Sequence, residues 1–207
     1  MKTNQSKQPA FIFDFGGVLL DWNREHLYRK MFDGNEAELG YFLTNVCSLE
    51  WNTLLDAGYP VAKAIEERVA MFPDYEPFIR AYQTRWGEMI KGEIVGMIEI
   101  LAALREQGNM LIALSNMSAE SYPYIYKRFE FLHWFAETIL SGREKLLKPD
   151  PAIFKLLLDR VHLAAEECVF VDDSGINVHA ASVLGFQGIH FSSAEEFRAE
   201  LLERGLI

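Results

Sequence analysis

Hydrophobic spacing divides this chain into three textures. Residues 10–14, AFIFD, are a short apolar run that ends in a carboxylate and is followed by the glycines 16 and 17. That is the signature of a buried strand closed by a sharp turn. From about residue 23 to 90 the period is helical. NREHLYRKMF, EAELGYFLTNV, LEWNTLLDAG, PVAKAIEERVAMF and EPFIRAYQTRWGEMI each place apolar residues three and four apart, and Gly, Pro or Asp separates them. This stretch predicts an all-helical insertion of four or five helices. After Gly92 the two periods alternate. IVGMIEILAALREQG reads as helix, NMLIALSN as strand, SAESYPYIYKRF as helix and ETILSG as strand. DPAIFKLLLDRV reads as a helix with Pro151 in its first turn, CVFVDDS as strand, NVHAASVLG as helix and FQGIHF as strand. SAEEFRAELLERG closes the series as a helix opened by a capping serine. The polar residues 1–9 predict a loose tail.

Strands that alternate with helices imply an α/β fold, a doubly wound parallel sheet, whose sites form at the carboxyl ends of the strands near the switch point. Three predicted strands end there in reactive groups: Asp14 on the first, Ser115 and Asn116 on LIALSN, Asp172 and Asp173 on VFVDDS. Lys148 stands just before the helix that begins at the KPDP stretch. Any one of these is ordinary turn or capping chemistry, and Asp173 or Ser174 suits a helix cap. Together they form a set. Three carboxylates at one edge repel one another and raise their own pKa values. A hard divalent cation, Mg²⁺, removes that problem through oxygen ligation, and Lys148 adds a fixed positive charge. Ser115 suits a phosphate oxygen, and an ionised Asp14 suits a nucleophile. Gly16 and Gly17 let the backbone turn and come close to such a site.

Composition narrows the partners. Thirty Asp and Glu against twenty Lys and Arg leave a net charge of −10, and no dense basic run occurs. Nucleic acid and anionic membrane surfaces are therefore not expected partners. No apolar run is long enough to span a bilayer and the N-terminus has no apolar signal core, so a soluble cytoplasmic protein is expected. Cys47 and Cys168 are far apart and read as two thiols in a reducing compartment. The five histidines show no metal-ligand spacing, which argues against a zinc site or a Ser–His–Asp triad. Nothing in the pattern sets an oligomeric state.

Four short motifs now carry a family resemblance. DFGGVL, LSN, KPDPAIF and VDDS, in that order, resemble the four motifs of the haloacid dehalogenase superfamily of hydrolases, and the likeness covers nearly the whole chain. The helical insertion after the first motif resembles the small mobile cap of one branch. The resemblance implies a core over residues 1–20 and 91–207 and a helical cap over 21–90. It implies that Asp14 attacks phosphorus to form an aspartyl-phosphate. Ser115 would hold the phosphoryl group with Asn116 beside it, and Lys148 would neutralise charge between nucleophile and phosphate. Asp173, Asp172, Asp14 and the carbonyl of Gly16 would hold Mg²⁺. Asp21, Arg24 and His26, where the chain enters the cap, are candidate substrate contacts. The aromatic residues of the insertion mostly read as its core, with a minority facing the catalytic floor.

The chain departs from the phosphatase pattern at Gly16. Phosphatases of the family carry there a second Asp, which protonates the leaving group and then activates water. Such a group contributes about 10²–10⁴-fold. The expected function is a Mg²⁺-dependent hydrolase of a small-molecule phosphate ester, such as a sugar phosphate. The alternatives are a metal-independent 2-haloacid dehalogenase and a weakened protein that binds phospho-ligands without turning them over.

Overall fold

The computed structural model describes residues 8–207, so the expected N-terminal tail lies mostly outside the described residues. The first apolar run forms β1 (Ala10–Phe13), and Asp14 stands one residue past it. Three further elements of the core follow the insertion: α6 (Met97–Glu106), β4 (Leu111–Ser115) and α7 (Tyr122–Arg128). They precede β5 (Glu137–Leu140), the short α8 (Ser141–Glu144) and α9 (Pro151–Val161). The chain ends with β6 (Cys168–Asp172), α10 (Gly175–Val183), β7 (Gln187–His190) and α11 (Ala194–Glu203). Ser193 accepts from the Glu196 N–H, the expected cap, and Pro151 opens α9.

The sheet has five parallel strands in the order β5-β4-β1-β6-β7. The chain lays β4 and β5 on one side of β1, then returns to place β6 and β7 on the other. The crevice at the strands' carboxyl ends therefore opens beside β1. Alternation within each strand sorts the core into two layers. Phe11, Phe13, Ala113, Val169 and Val171 face α6 and α11, which contribute Ile100, Leu104, Phe197 and Leu201. Ala10, Ile12, Ile112, Leu114 and Phe170 face α9 and α10 through Phe154, Leu157 and Ala181. A central parallel strand is buried on both faces, which is why AFIF is apolar at every position.

The insertion holds α1 (Glu25–Met31), α2 (Glu36–Tyr41), α3 (Leu49–Asp56), α4 (Val61–Met71) and α5 (Glu76–Thr84), with a π-helical turn at Phe42–Val46. They share an apolar cluster of their own around Tyr28, Phe42, Trp51, Leu55 and Ile79. One expectation fails at its edges. Helical spacing reaches residue 90 in the sequence, yet α5 stops at Thr84 and a 3-10 turn covers Trp86–Met89. The chain then forms β3 (Ile90–Glu93), paired antiparallel with β2 (Leu20–Trp22). The insertion thus leaves and rejoins the core through a two-stranded ribbon. The expected start of the helix at residue 118 also moves: residues 119–121 are a turn, and α7 begins at Tyr122. Among the described residues no helix is long and apolar enough to cross a membrane.

Candidate active site

The residues at the strand ends converge on one point. The backbone N–H of Asp14 continues the ladder by donating to the Val171 carbonyl at 3.0 Å, which fixes the residue at the sheet's edge. One carboxylate oxygen of Asp14 accepts the Phe15 N–H at 2.7 Å, and the other lies 3.0 Å from Lys148 Nζ. Ser115, the last residue of β4, stands beside the Asp14 carboxylate and favours its charged form. Burial pushes the Asp14 carboxyl up to about 6; the Lys148 charge opposes this and that of Asp172 adds to it.

Lys148 has no exposed side-chain surface. Its ammonium reaches Asp172 at 2.6 Å, Asp14 at 3.0 Å and the Leu114 carbonyl at 2.8 Å. Burial alone would depress it, but the two carboxylates outweigh burial and hold it above the ordinary lysine value. The loop that carries it is tied by Asn116, whose side-chain amide donates to the Lys148 carbonyl and accepts the Lys148 N–H. Both ends of that amide are therefore engaged with protein. Asn116, expected beside the phosphate, fastens the β4 loop to the Lys148 loop in this structure.

The acidic pair divides its work. Asp172 is fully buried, and besides Lys148 it accepts from the Ser174 N–H and the Asn177 amide. Asp172, not Asp173 or Ser174, thus makes the turn into α10. Asp173 is the exposed member, and its carboxyl is raised by partial burial and by the Asp172 charge. Oxygens of Asp14, Asp172 and Asp173 lie within 4.8 Å of one another. Three carboxylates against one ammonium leave a formal deficit that one divalent cation balances, so the donor set suits a hard cation. Gly17 makes room for the Asp173 carboxylate. Its φ is +75°, and a Cβ there would stand 2.2 Å from Asp173 Oδ2. Gly16 has no such need: the atom nearest to a Cβ is Trp22 Cβ at 3.9 Å. The conformational freedom expected of both glycines belongs to Gly17.

Above these groups opens a cleft of about 470 Å³ between core and insertion. Asp14, Gly16, Ser115 and Asp173 lie at its floor, and Asn23, Arg24, Asn52, Tyr82 and Trp86 are among its walls. Arg24 is thus placed on the cleft, with one guanidinium nitrogen donating to the Cys47 carbonyl. Asp21 and His26 are not: they pair with each other at 2.8 Å and neither lines it. Trp51 and Tyr59 stay with the insertion's own cluster.

Not every cleft residue was foreseen, and one of those missed is an acid. Asp56, the last residue of α3, lines the same cleft. Its carboxylate accepts from the Ser118 N–H at 3.1 Å and from the Asn52 amide at 2.7 Å. Its carbonyl accepts from the Ser141 hydroxyl. In the sequence it is one more polar residue before a helix-ending glycine, and no local signal aims it at the sheet.

Residues 9–185 match the model of the haloacid dehalogenase-like hydrolases. The chain belongs to that hydrolase family. It is 23% identical over 196 residues to the D-ribitol-5-phosphate phosphatase of Bacteroides thetaiotaomicron, across 92% of this chain and 95% of that protein. It is 32% identical over 119 residues to mouse acyl-CoA dehydrogenase family member 10, which is 55% of this chain and only 11% of that protein. The magnesium complex of a haloacid dehalogenase family enzyme from Bacteroides thetaiotaomicron superposes with a TM-score of 0.73 at 23% identity. That superposition covers 94% of this chain and 98% of the other.

Proposed function

We propose that the protein is a Mg²⁺-dependent phosphomonoesterase for small polar esters, phosphorylated sugars or polyols, and that it works through an aspartyl-phosphate on Asp14. The carrying observation is the convergence on Asp14: a carboxylate at the switch point, paired with Lys148 and flanked by Ser115, with Asp172 and Asp173 at metal-sharing distance. The activity of the ribitol-phosphate phosphatase, which this chain matches along almost its whole length, supports the same reading.

The residues divide as follows. Asp14 attacks phosphorus through a carboxylate oxygen. Ser115 holds a phosphoryl oxygen, and Lys148, buried beneath the cleft floor against Asp14 and Asp172, offsets the negative charge from below as the bond to the leaving group stretches. Asp14, Asp173, the Gly16 carbonyl and Asp172, directly or through water, would hold the cation. When bound, the cation screens the carboxylates from one another and supplies positive charge against the phosphoryl oxygens. The insertion acts as a cap that walls the cleft. Arg24 and the polar side chains of Asn23 and Asn52 suit a hydroxylated or anionic tail, and about 470 Å³ accommodates a small ester rather than a polymer. Two buried thiols fit a reducing compartment, the cytosol.

The test is a screen of sugar, polyol and aryl phosphates beside 2-haloacids, with Mg²⁺ and with chelator. Phosphate release that needs Mg²⁺ and disappears in Asp14→Asn is the expected result. Halide release that survives the chelator would replace this reading with a dehalogenase. Tight binding of a phosphorylated compound with no turnover over hours would replace it with a binding protein.

A further inference from the structure

We propose that Asp56, brought to the site by the helical insertion, is the general acid and base of the reaction, in the role that position 16 leaves vacant. The inference rests on the phosphatase reading and adds to it the missing proton. Gly16 has no side chain to give one. Asp21 and His26, titratable side chains close after the first motif, are paired with each other off the cleft. Asp56 is a carboxyl that lines the cleft without belonging to the cluster around Lys148. It stands close enough to Asp14 for the Asp14 charge to act on it.

Its carboxyl is held on two sides. The Ser118 N–H comes from the loop after β4, and the Asn52 amide from one turn earlier on α3. Asn52 is itself held by the Tyr82 hydroxyl. A group fixed in this way meets the first requirement of a proton-transfer residue, a set position, here on the cleft that Asp14 also lines. Its electrostatics agree with its place. Burial pushes the carboxyl up to about 7, against the two hydrogen bonds, and the Asp14 charge adds to the rise. The titratable groups facing it are Asp14 from the end of β1 and Tyr82 from α5. An acid that titrates near neutrality can serve in both directions.

The chemistry balances without a further reactant. As Asp14 forms its bond to phosphorus, the phosphorus–oxygen ester bond breaks, and the leaving oxygen takes the Asp56 proton. Aspartyl-phosphate, a free alcohol and an Asp56 carboxylate result. That carboxylate then takes a proton from water as the water oxygen attacks phosphorus. Inorganic phosphate leaves, Asp14 is regenerated and Asp56 is again protonated.

The contacts that aim Asp56 also join the insertion to the core. Its carbonyl takes the Ser141 hydroxyl, and the first N–H of α4 donates to Glu120. The acid therefore owes its place to the docking of the insertion on the loop after Ser115.

Asp56→Asn keeps an oxygen for the Ser118 N–H and removes the proton, so it separates chemistry from docking. Alkyl phosphate turnover should fall about 10²–10⁴-fold. The first burst of 4-nitrophenolate from 4-nitrophenyl phosphate should persist within a few-fold, because that leaving group needs no proton. Mass spectrometry after acid quench should show the phosphorylated variant accumulating, since the water step has lost its base. Gly16→Asp, added to Asp56→Asn, should restore alkyl turnover, which repair of a docking defect would not do. An active wild type with an Asp56→Asn variant that matches it on alkyl esters, or that loses alkyl and aryl burst alike, would overturn the inference and leave the phosphatase reading intact. So would a wild type whose rate falls steeply as the leaving group becomes more basic, a result that needs no variant to fold. A wild type that turns over no ester with Mg²⁺ would overturn both.

Discussion

Replacing Lys148 by Met removes a charge that nothing else buried at the site supplies. The ammonium has no exposed surface and stands 2.6 Å from Asp172 and 3.0 Å from Asp14. Methionine fills a similar volume, so packing changes little and the electrostatic loss is isolated. Breaking a buried pair from one side costs roughly 3–5 kcal/mol, because a desolvated charge is left without its partner. Here two carboxylates lose the same partner, so the upper end of that range is expected. The loss has a pH signature. Stripped of the Lys148 charge that holds it down, the Asp14 carboxyl is driven further above its already raised value, so the folded variant binds its proton more tightly than the unfolded chain. That contribution to stability is present at acid pH and is lost as pH rises through the folded value of Asp14. Urea denaturation of wild type and Lys148→Met, in chelator, at pH 5 and pH 8, measures this. The expected gap is roughly 3–5 kcal/mol at pH 8 and clearly smaller at pH 5. Added Mg²⁺ should narrow the pH 8 gap by replacing part of the missing charge, while phosphatase activity stays low. A gap below about 1 kcal/mol at pH 8, the size of an exposed ion pair, would refute the claim that these charges are held away from water. An equal gap at both pH values would refute the claim that stranded carboxylates cause it.

Three further outcomes follow from the same geometry. Gly17→Ala forces a Cβ into a left-handed turn and against Asp173; it should cost about 1–2 kcal/mol in denaturation and weaken Mg²⁺ binding about tenfold or more by calorimetry, with wild-type affinity counting against Asp173 as a ligand. Asp173→Asn should raise the Mg²⁺ concentration for half-maximal activity by about tenfold or more and recover in part at high Mg²⁺, whereas an unchanged requirement would make Asp173 a bystander. Asp56 rises from 3.8 to about 7 on folding, so the folded state holds its proton more tightly and metal-free wild type should lose stability between about pH 4 and pH 7, on the order of 2–4 kcal/mol from this group. Asp56→Asn should flatten that slope and be the more stable protein at pH 8, and parallel stability curves for the two would show that Asp56 is not desolvated.

Much of this protein is written in local periods. The unbroken AFIF run means a strand buried on both faces, and the three-and-four spacing of the insertion means helices with one apolar stripe. Both follow from backbone geometry that each segment carries by itself. The convergence of the strand-end polar residues was legible for a related reason. In a doubly wound sheet the carboxyl ends of strands share one edge, so Asp14, Ser115 and Asp172 had to become neighbours once their strands were recognised. What the sequence left undecided depends on contacts between distant segments. The β2–β3 ribbon pairs Trp22 with Ile90, and the local helical spacing before Ile90 gives way to that partner. Which acid of the pair lies beneath the site and which on its rim turned on where the Lys148 side chain arrives, from a loop outside the strands. Gly16 and Gly17 look alike in the chain, and only the approach of Asp173 shows which one must lack a side chain. Asp56 is the clearest case. It meets Ser118 across 62 residues of chain, through the docking of one apolar cluster against another. A helix period says which side of α3 is buried; it holds no term for where α3 comes to rest on the sheet.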